Sequence, residues 1–462
     1  MRQHESEGGT TGFDRSIDRY VSGSREEFES CLRDLVAIPT ISSDPQRRSE
    51  MRQGAELAAA TLRRFGAGAE IVPTAGHPLV VGEFPAVAGA PTLTVYNHLD
   101  VQPATPEEWT HPPFEMHREG ERYFGRGTTD DKGPALTALF AARWAAERGL
   151  RLNLRFLWEM EEEIGSPNFE AFLRARRERL ATDSVLVSDT IWIARGRPAI
   201  DYGLRGLLGM TLRLRTGSKD VHSGLTGGAA RNPFSELVAL LDRCFDGRSG
   251  RVRIPGFYND VQRLTPAEMK NFLASGFSVR KFTATHGLRG LRSAEASEVL
   301  RRIWGMPTFE IHGFVGGYTG PGIKTIVPPT AEVKVSMRLV PYQDPKKVFR
   351  VVRDFVRAQN PEVEVEAREM LQPYLGPFTG PYAEAASAAL QRAFRRKPVF
   401  VREGGSIGTV VSMNRLLKAP VVLMGLSLPE HSYHGPDENF DWGQASGGMK
   451  AFASYFQSLA GS

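Results

Sequence analysis

Cysteine is nearly absent. Cys31 and Cys244 are the only two in the 462-residue chain, and they lie far apart in it. Neither a disulfide framework nor a thiolate zinc site can be built from them. Long apolar runs are missing too, and no stretch approaches the ~20 residues that a helical membrane span needs. The N-terminal stretch MRQHESEGGTTGFDRS is polar and lacks the apolar segment of a secretory signal. The net charge is +5, but the arginines are scattered and form no basic run. That pattern reads as solubility, not as a nucleic-acid footprint. Internal repeats and low-complexity tracts are also lacking. The expectation is a cytoplasmic protein with no nucleic-acid and no membrane partner.

What is present is an ordinary enzyme-like composition, 41% hydrophobic and 24% charged, on a chain too long for one core. The opening ~20 residues read as loose. SREEFESCLRDLVAIPT, SEMRQGAELAAATLRRFG and DKGPALTALFAARWAAERG then read as helices. TLTVYNH, LRLNLRFLW and DSVLVSD read as buried strands. Strands alternating with helices predict an α/β sandwich with a mainly parallel central sheet. Past residue 205 the pattern changes. GLLGMTLRLRTG and AEVKVSMRLVP alternate apolar with polar, as in a sheet exposed on one side. NPFSELVALLDRCF and DPKKVFRVVRDFVRAQ are helices beside them, EVEVEA is a further strand, and 247–325 reads as long and irregular. YAEAASAALQRAF, PVFVREGG and APVVLMGL return to the buried α/β style. The inference is a small α+β domain at 206–378, inserted into an α/β domain made of 20–205 and 379–462.

Chemistry-bearing residues gather where apolar strands end. His98 and Asp100 share one side of a strand tip, because residues two apart on a strand point the same way. GRGTTDDKGP offers Asp130 and Asp131 in a glycine-bounded loop. EMEEEIGS follows an alternating strand directly, and LVSDT puts Asp189 at another strand end. EHSYHGPDENF supplies His431 and His434 after APVVLMGL. In open α/β sheets the ligand crevice lies at such C-terminal ends. Carboxylates converging there repel one another unless a cation is supplied. Two histidines and several acids without cysteine suit zinc, manganese or cobalt. One aspartate bridging two ions would make a hydrolytic site, with a spare glutamate free to take a proton from water. Chemistry alone does not choose among the three glutamates of EEE. His4, His77, His111, His117, His286 and His312 match no motif and read as surface or packing residues. The GGSIG stretch would suit a phosphate, but no Walker-type lysine follows it.

The ordered set HLDVQPA, GRGTTDDKGP, EMEEEIGSPN, VSDT, HSGLTGG and HGPDEN resembles the di-zinc aminoacylase/carboxypeptidase superfamily, nearest to its carnosinase-like cytosolic dipeptidases. The resemblance implies that His98 and Asp189 bind one ion, Glu163 and His434 the other, and Asp130 both. It implies that Asp100 orients His98, that Glu162 is the general base, and that the Asp130–Asp131 peptide is cis. The inserted domain would be a lid and dimerisation domain. Its His222 would reach the active site of the partner subunit and stabilise the oxyanion there. Arg338, Gly405 and Ser406 would hold the free carboxylate of a small peptide. The implied activity is hydrolysis of dipeptides by a homodimer with two divalent ions per subunit, most simply zinc. The rivals are an N-acyl amino acid deacylase of the same superfamily and a non-catalytic metal-binding protein.

Overall fold

The computed structural model describes residues 12–461, so His4 lies outside the described residues. A nine-stranded sheet carries the body of the fold. Its centre is parallel. Thr92–His98 runs parallel to both Asn153–Glu159 and Ser184–Val187, and Val421–Leu423 continues in parallel beyond the latter. One flank is antiparallel, Gly68–Val72 with Leu79–Glu83; the other is mixed, Ala199–Leu204 pairing antiparallel with Tyr374–Leu375 and parallel with Val399–Glu403. Central strands covered on both faces need apolar residues at nearly every position. Ser184–Val187 is accordingly buried throughout, and Thr92–His98 at all but its first residue.

Alternate side chains feed two cores. Val95, Phe156 and Trp158 pack against the helices Lys132–Glu147 and Trp442–Ala460 on one face. Tyr96, Leu157 and Val187 pack against Phe169–Ala175 and Gly408–Leu417 on the other. The result is the expected α/β sandwich. Lys132–Glu147 is buried around almost its whole circumference, which its run of alanines permits by letting neighbours approach closely.

A separate four-stranded antiparallel sheet has the order Glu310–Gly316, Thr330–Leu339, Gly206–Arg215, Glu364–Leu371. Val333, Val335, Met337 and Leu339 are buried and their alternates are not, as the spacing predicts. Pro233–Cys244 and Pro345–Gln359 cover the apolar face.

Two expectations need correction. The segment read as loose holds a helix, Gly12–Gly23, whose Ile17 and Val21 are buried. The segment read as irregular holds three short helices and the edge strand Glu310–Gly316. Two of its three helix starts are set by capping, not by a long apolar stripe. Thr265 and Glu268 form a reciprocal capping box, and Ser278 caps the next helix. The edge strand is almost wholly exposed, so it shows no alternation to read.

Candidate metal centre

The acidic and imidazole groups collect at the C-terminal ends of the parallel strands. His98 closes Thr92–His98, and Asp189 follows Ser184–Val187. Glu162 and Glu163 open a single turn just after Asn153–Glu159. Asp130 sits before the helix Lys132–Glu147, and the Asp130–Asp131 peptide is cis. His434 arrives on the loop after Val421–Leu423.

Two triads result, His98–Asp130–Asp189 and Asp130–Glu163–His434. Within each, one ligating atom per residue lies within 4.8 Å of the others. His98 Nε2 is 2.9 Å from Asp130 Oδ1 and 3.7 Å from Asp189 Oδ2. His434 Nε2 is 2.9 Å from Asp130 Oδ2 and 3.3 Å from Glu163 Oε2. Asp130 thus turns one oxygen to each triad. Among the described residues its Oδ2 makes no hydrogen bond, while Oδ1 is hydrogen-bonded to His98. A buried, unpartnered carboxylate oxygen beside an imidazole and a second carboxylate suits a shared cation. The residues therefore fit two divalent ions.

Charge in the protein follows the same logic. Burial works against the charged form of His434, but Asp130 and Glu163 pull it up to about 10. Burial likewise opposes the His98 imidazolium, which Asp100 and Asp130 still hold well above the ordinary range. Burial would raise Asp130, yet the two imidazoles keep it below the usual carboxylate range. Glu162 is pushed well up, first by burial and then by Asp189 and Glu163.

Asp100 does more than face an imidazole. His98 Nδ1–H donates to the Asp100 main-chain carbonyl at 3.0 Å, while the Asp100 carboxylate is 3.5 Å from that nitrogen. The carbonyl holds Nδ1–H and so turns Nε2 towards the triad. The carboxylate instead accepts the backbone N–H groups of Glu162 at 3.1 Å and Glu163 at 3.0 Å. It ties the turn bearing both glutamates to the strand tip bearing His98.

Sequence reasoning missed several supports. The Tyr433 hydroxyl donates to Asp189 Oδ1. Gln102 Nε2 donates to Glu163 Oε2 at 2.6 Å. Glu438, fully buried, accepts from Gly127 N at 2.9 Å, Thr129 N at 2.9 Å and Asp130 N at 3.1 Å, and pairs with Arg126 at 2.8 Å. Glu438 stood inside the quoted motif HGPDEN. Gln102 stood inside HLDVQPA and Tyr433 inside EHSYHGPDENF, but nothing in either motif marked them as supports. His431 is a packing residue: it is buried, with Nε2 3.0 Å from Asp441 and Nδ1 3.0 Å from Thr129 Oγ1.

Other candidates stand apart from the triads. His222 is exposed on a two-residue ladder opposite Ile326, and its Nδ1 accepts from Gly224 N at 2.9 Å. Among the described residues it makes no hydrogen bond or ion pair with either triad. Arg338 Nη1 donates to Ser406 Oγ at 2.9 Å. Gly405 accepts from Arg205 N at 3.0 Å through its carbonyl.

Known proteins resemble this chain along most of its length. Residues 94–458 match peptidase family M20/M25/M40. The Cys-Gly metallodipeptidase dug1 of Schizosaccharomyces pombe is 30% identical, over 95% of this chain and 97% of its own length. The Beta-Ala-His dipeptidase of Homo sapiens is 30% identical, over 96% of this chain and 92% of its own. The solved structure of the di-peptidase Dug1p from Saccharomyces cerevisiae superposes with a TM-score of 0.87 at 27% identity, covering 98% of this chain and 100% of that one. The match spans the strands that deliver His98, Asp130, Glu163, Asp189 and His434, and on that breadth the chain belongs to peptidase family M20/M25/M40.

Proposed function

We propose that this chain is a metal-dependent dipeptidase that cleaves the amide bond of small peptides with a free C-terminal carboxylate. The carrying observation is the pair of triads sharing Asp130, with Glu162 beside them on a turn held by Asp100. The relatives named as dipeptidases, matched over nearly the full chain, support the same reading.

His98, Asp130 and Asp189 would hold one ion, and Asp130, Glu163 and His434 the other. The all-nitrogen-and-oxygen donor set favours zinc, with manganese or cobalt as substitutes. When bound, such ions polarise a carbonyl and acidify water. Glu162 is not needed as a ligand. Its raised affinity for a proton suits it to take one from the attacking water and pass it to the leaving amine nitrogen. Arg338 and Ser406 bind the substrate carboxylate through charge-assisted hydrogen bonds. His222 of the partner subunit donates to the oxyanion as it forms.

Residues 206–378 form the lid and dimerisation domain in this reading, inserted between 20–205 and 379–462. The edge strand Glu310–Gly316 supports a homodimer, since Ile311, Phe314 and Val315 are exposed by 41%, 42% and 51% on an unpaired sheet edge. The reading places the enzyme in the cytoplasm. No helix among the described residues is long and apolar enough to cross a membrane.

The test is to strip the protein with chelator, add back zinc, manganese or cobalt, and assay dipeptides beside N-acetyl amino acids. Metal-restored cleavage of dipeptides is the expected result. Cleavage of the acyl amino acids alone would replace dipeptidase by deacylase, and no turnover with two ions bound would refute the enzyme reading.

A further inference from the structure

Enclosed arginines in this protein have carboxylate partners. Arg126 pairs with Glu438, Arg143 with Glu27, Arg155 with Glu83 and Arg402 with Glu268. Arg205 and Arg338 are exceptions. Both are partly buried, and among the described residues neither forms an ion pair. They also repel each other. Burial first, then Arg338, pulls Arg205 down to about 10, with Glu310 near enough only to offset part of this. Two unpaired guanidinium groups in one neighbourhood call for anions supplied from outside.

The two flank one loop, Gly404–Ser406. Arg338 reaches it through Ser406 Oγ. Arg205 holds it by main chain and side chain together. Its N–H donates to the Gly405 carbonyl at 3.0 Å, its carbonyl accepts from Ser406 Oγ, and its Nε donates to the Gly404 carbonyl at 3.1 Å. The guanidinium lies so close that a Cβ on residue 404 would come 3.0 Å from Arg205 Nη2, so a larger residue there would press on the Arg205 side chain. No other N–H of the Arg205 side chain has a protein acceptor among the described residues.

The spaces they face differ. Arg205 lines a cavity of about 1250 Å³ that Arg338 does not line. Arg251, Arg263 and Arg292 line it as well, and among the described residues Glu310 is the one carboxylate in its wall. Arg338 stands opposite Leu207 in the sheet, two residues from Arg205. Arg205 itself immediately precedes that strand, Gly206–Arg215. Two anion seats on one loop match a residue with two carboxylates.

We propose that Arg205 is a specificity-determining residue that holds the side-chain carboxylate of a C-terminal Asp or Glu, while Arg338 and Ser406 hold the α-carboxylate. The substrates favoured are dipeptides ending in an acidic residue. This rests on the dipeptidase reading above, and its test separates the two.

The experiment compares kcat/KM for Ala-Glu and Ala-Gln, which differ in charge and hardly in shape, using metal-loaded wild type, Arg205→Met and Arg205→Lys. In parallel, calorimetry measures binding of L-glutamate and L-glutamine to the same proteins. Wild type is expected to favour Ala-Glu by on the order of tenfold or more. Arg205→Met brings the ratio to within about threefold of unity, and Arg205→Lys, with a cation but no fork, falls between. The main-chain bonds of residue 205 survive either substitution. A wild-type ratio near one, or a ratio unchanged in Arg205→Met, overturns the proposal and leaves the dipeptidase reading intact. If neither dipeptide is cleaved, the dipeptidase reading fails and calorimetry decides: a glutamate preference lost in Arg205→Met supports the acidic seat, and equal binding of the two amino acids overturns it.

Discussion

Replacing Asp100 by Asn keeps its size and removes its charge. The native carboxylate accepts two backbone N–H groups, from Glu162 at 3.1 Å and Glu163 at 3.0 Å. An amide offers one oxygen and one NH2 group, so one of the two N–H groups would face another donor. A hydrogen bond to a charged group contributes ~1.5–3 kcal/mol, and each ~1.4 kcal/mol is tenfold in rate when it falls on the transition state. Misplacement of Glu162 should therefore lower kcat by about 10- to 100-fold. Metal content should hold, because the bond orienting His98 runs to the Asp100 main-chain carbonyl, which the substitution leaves in place. The assay is dipeptide turnover at saturating metal, with bound metal measured by atomic absorption on the same sample. Loss of metal with an unchanged kcat for the loaded fraction would refute the reasoning. It would mean that the carboxylate acts through His98 and not through the glutamate turn.

Three other substitutions probe separate parts of the structure. Glu162→Gln should lower kcat by roughly 10²- to 10⁴-fold with both ions retained, as steady-state rates and metal analysis on the same protein would show. Glu438→Gln leaves buried Arg126 without a counter-charge and should cost about 3 kcal/mol in denaturant unfolding. Lys132 is buried, its ammonium donating to the carbonyls of Leu35 at 2.9 Å and Ile38 at 3.1 Å. Burial lowers it from 10.5 to about 7. The unfolded chain then holds more protons than the fold between those values, so the contribution of Lys132 is full above the unfolded value and is lost as pH falls through about 7. The melting temperature of wild type relative to Lys132→Met should rise from pH 7 towards 10, and a flat or falling difference would contradict the shift.

Apolar rhythm made much of this fold readable. The alternation in Thr330–Leu339 and the unbroken burial of Ser184–Val187 are each enough to identify a strand and its covering. The same rhythm misleads or falls silent elsewhere. Ala199–Leu204 is wholly buried yet carries Asp201 at its centre. Trp442–Ala460 is buried on so many sides, with Gly447 and Gly448 against Phe394 and Leu426, that no polar stripe marks it as a helix. The grouping of His98, Asp130, Glu163, Asp189 and His434 was legible because His98, Glu163 and Asp189 follow apolar strands, while Asp130 and His434 stand in loops bearing glycine and acidic residues. What holds them was not. The grip of Asp100 on a backbone turn, and of Glu438 on the loop before Asp130, are main-chain bonds between distant segments, and no local spacing encodes them.

The bonds of Glu438 to Arg126 and Asp130 span 312 and 308 positions, and that distance has a consequence during synthesis. A ribosome has made His98, Asp130, Glu163 and Asp189 long before it makes His434 and Glu438. Until then the loop carrying Asp130 lacks the carboxylate that gathers its N–H groups, and one triad lacks its imidazole. On the proposed two-ion reading, the nascent chain then offers no finished seat for the ion that His434 would hold. The centre becomes complete only when the last part of the polypeptide has emerged and docked, so a truncated product carries most of the ligands but no finished site.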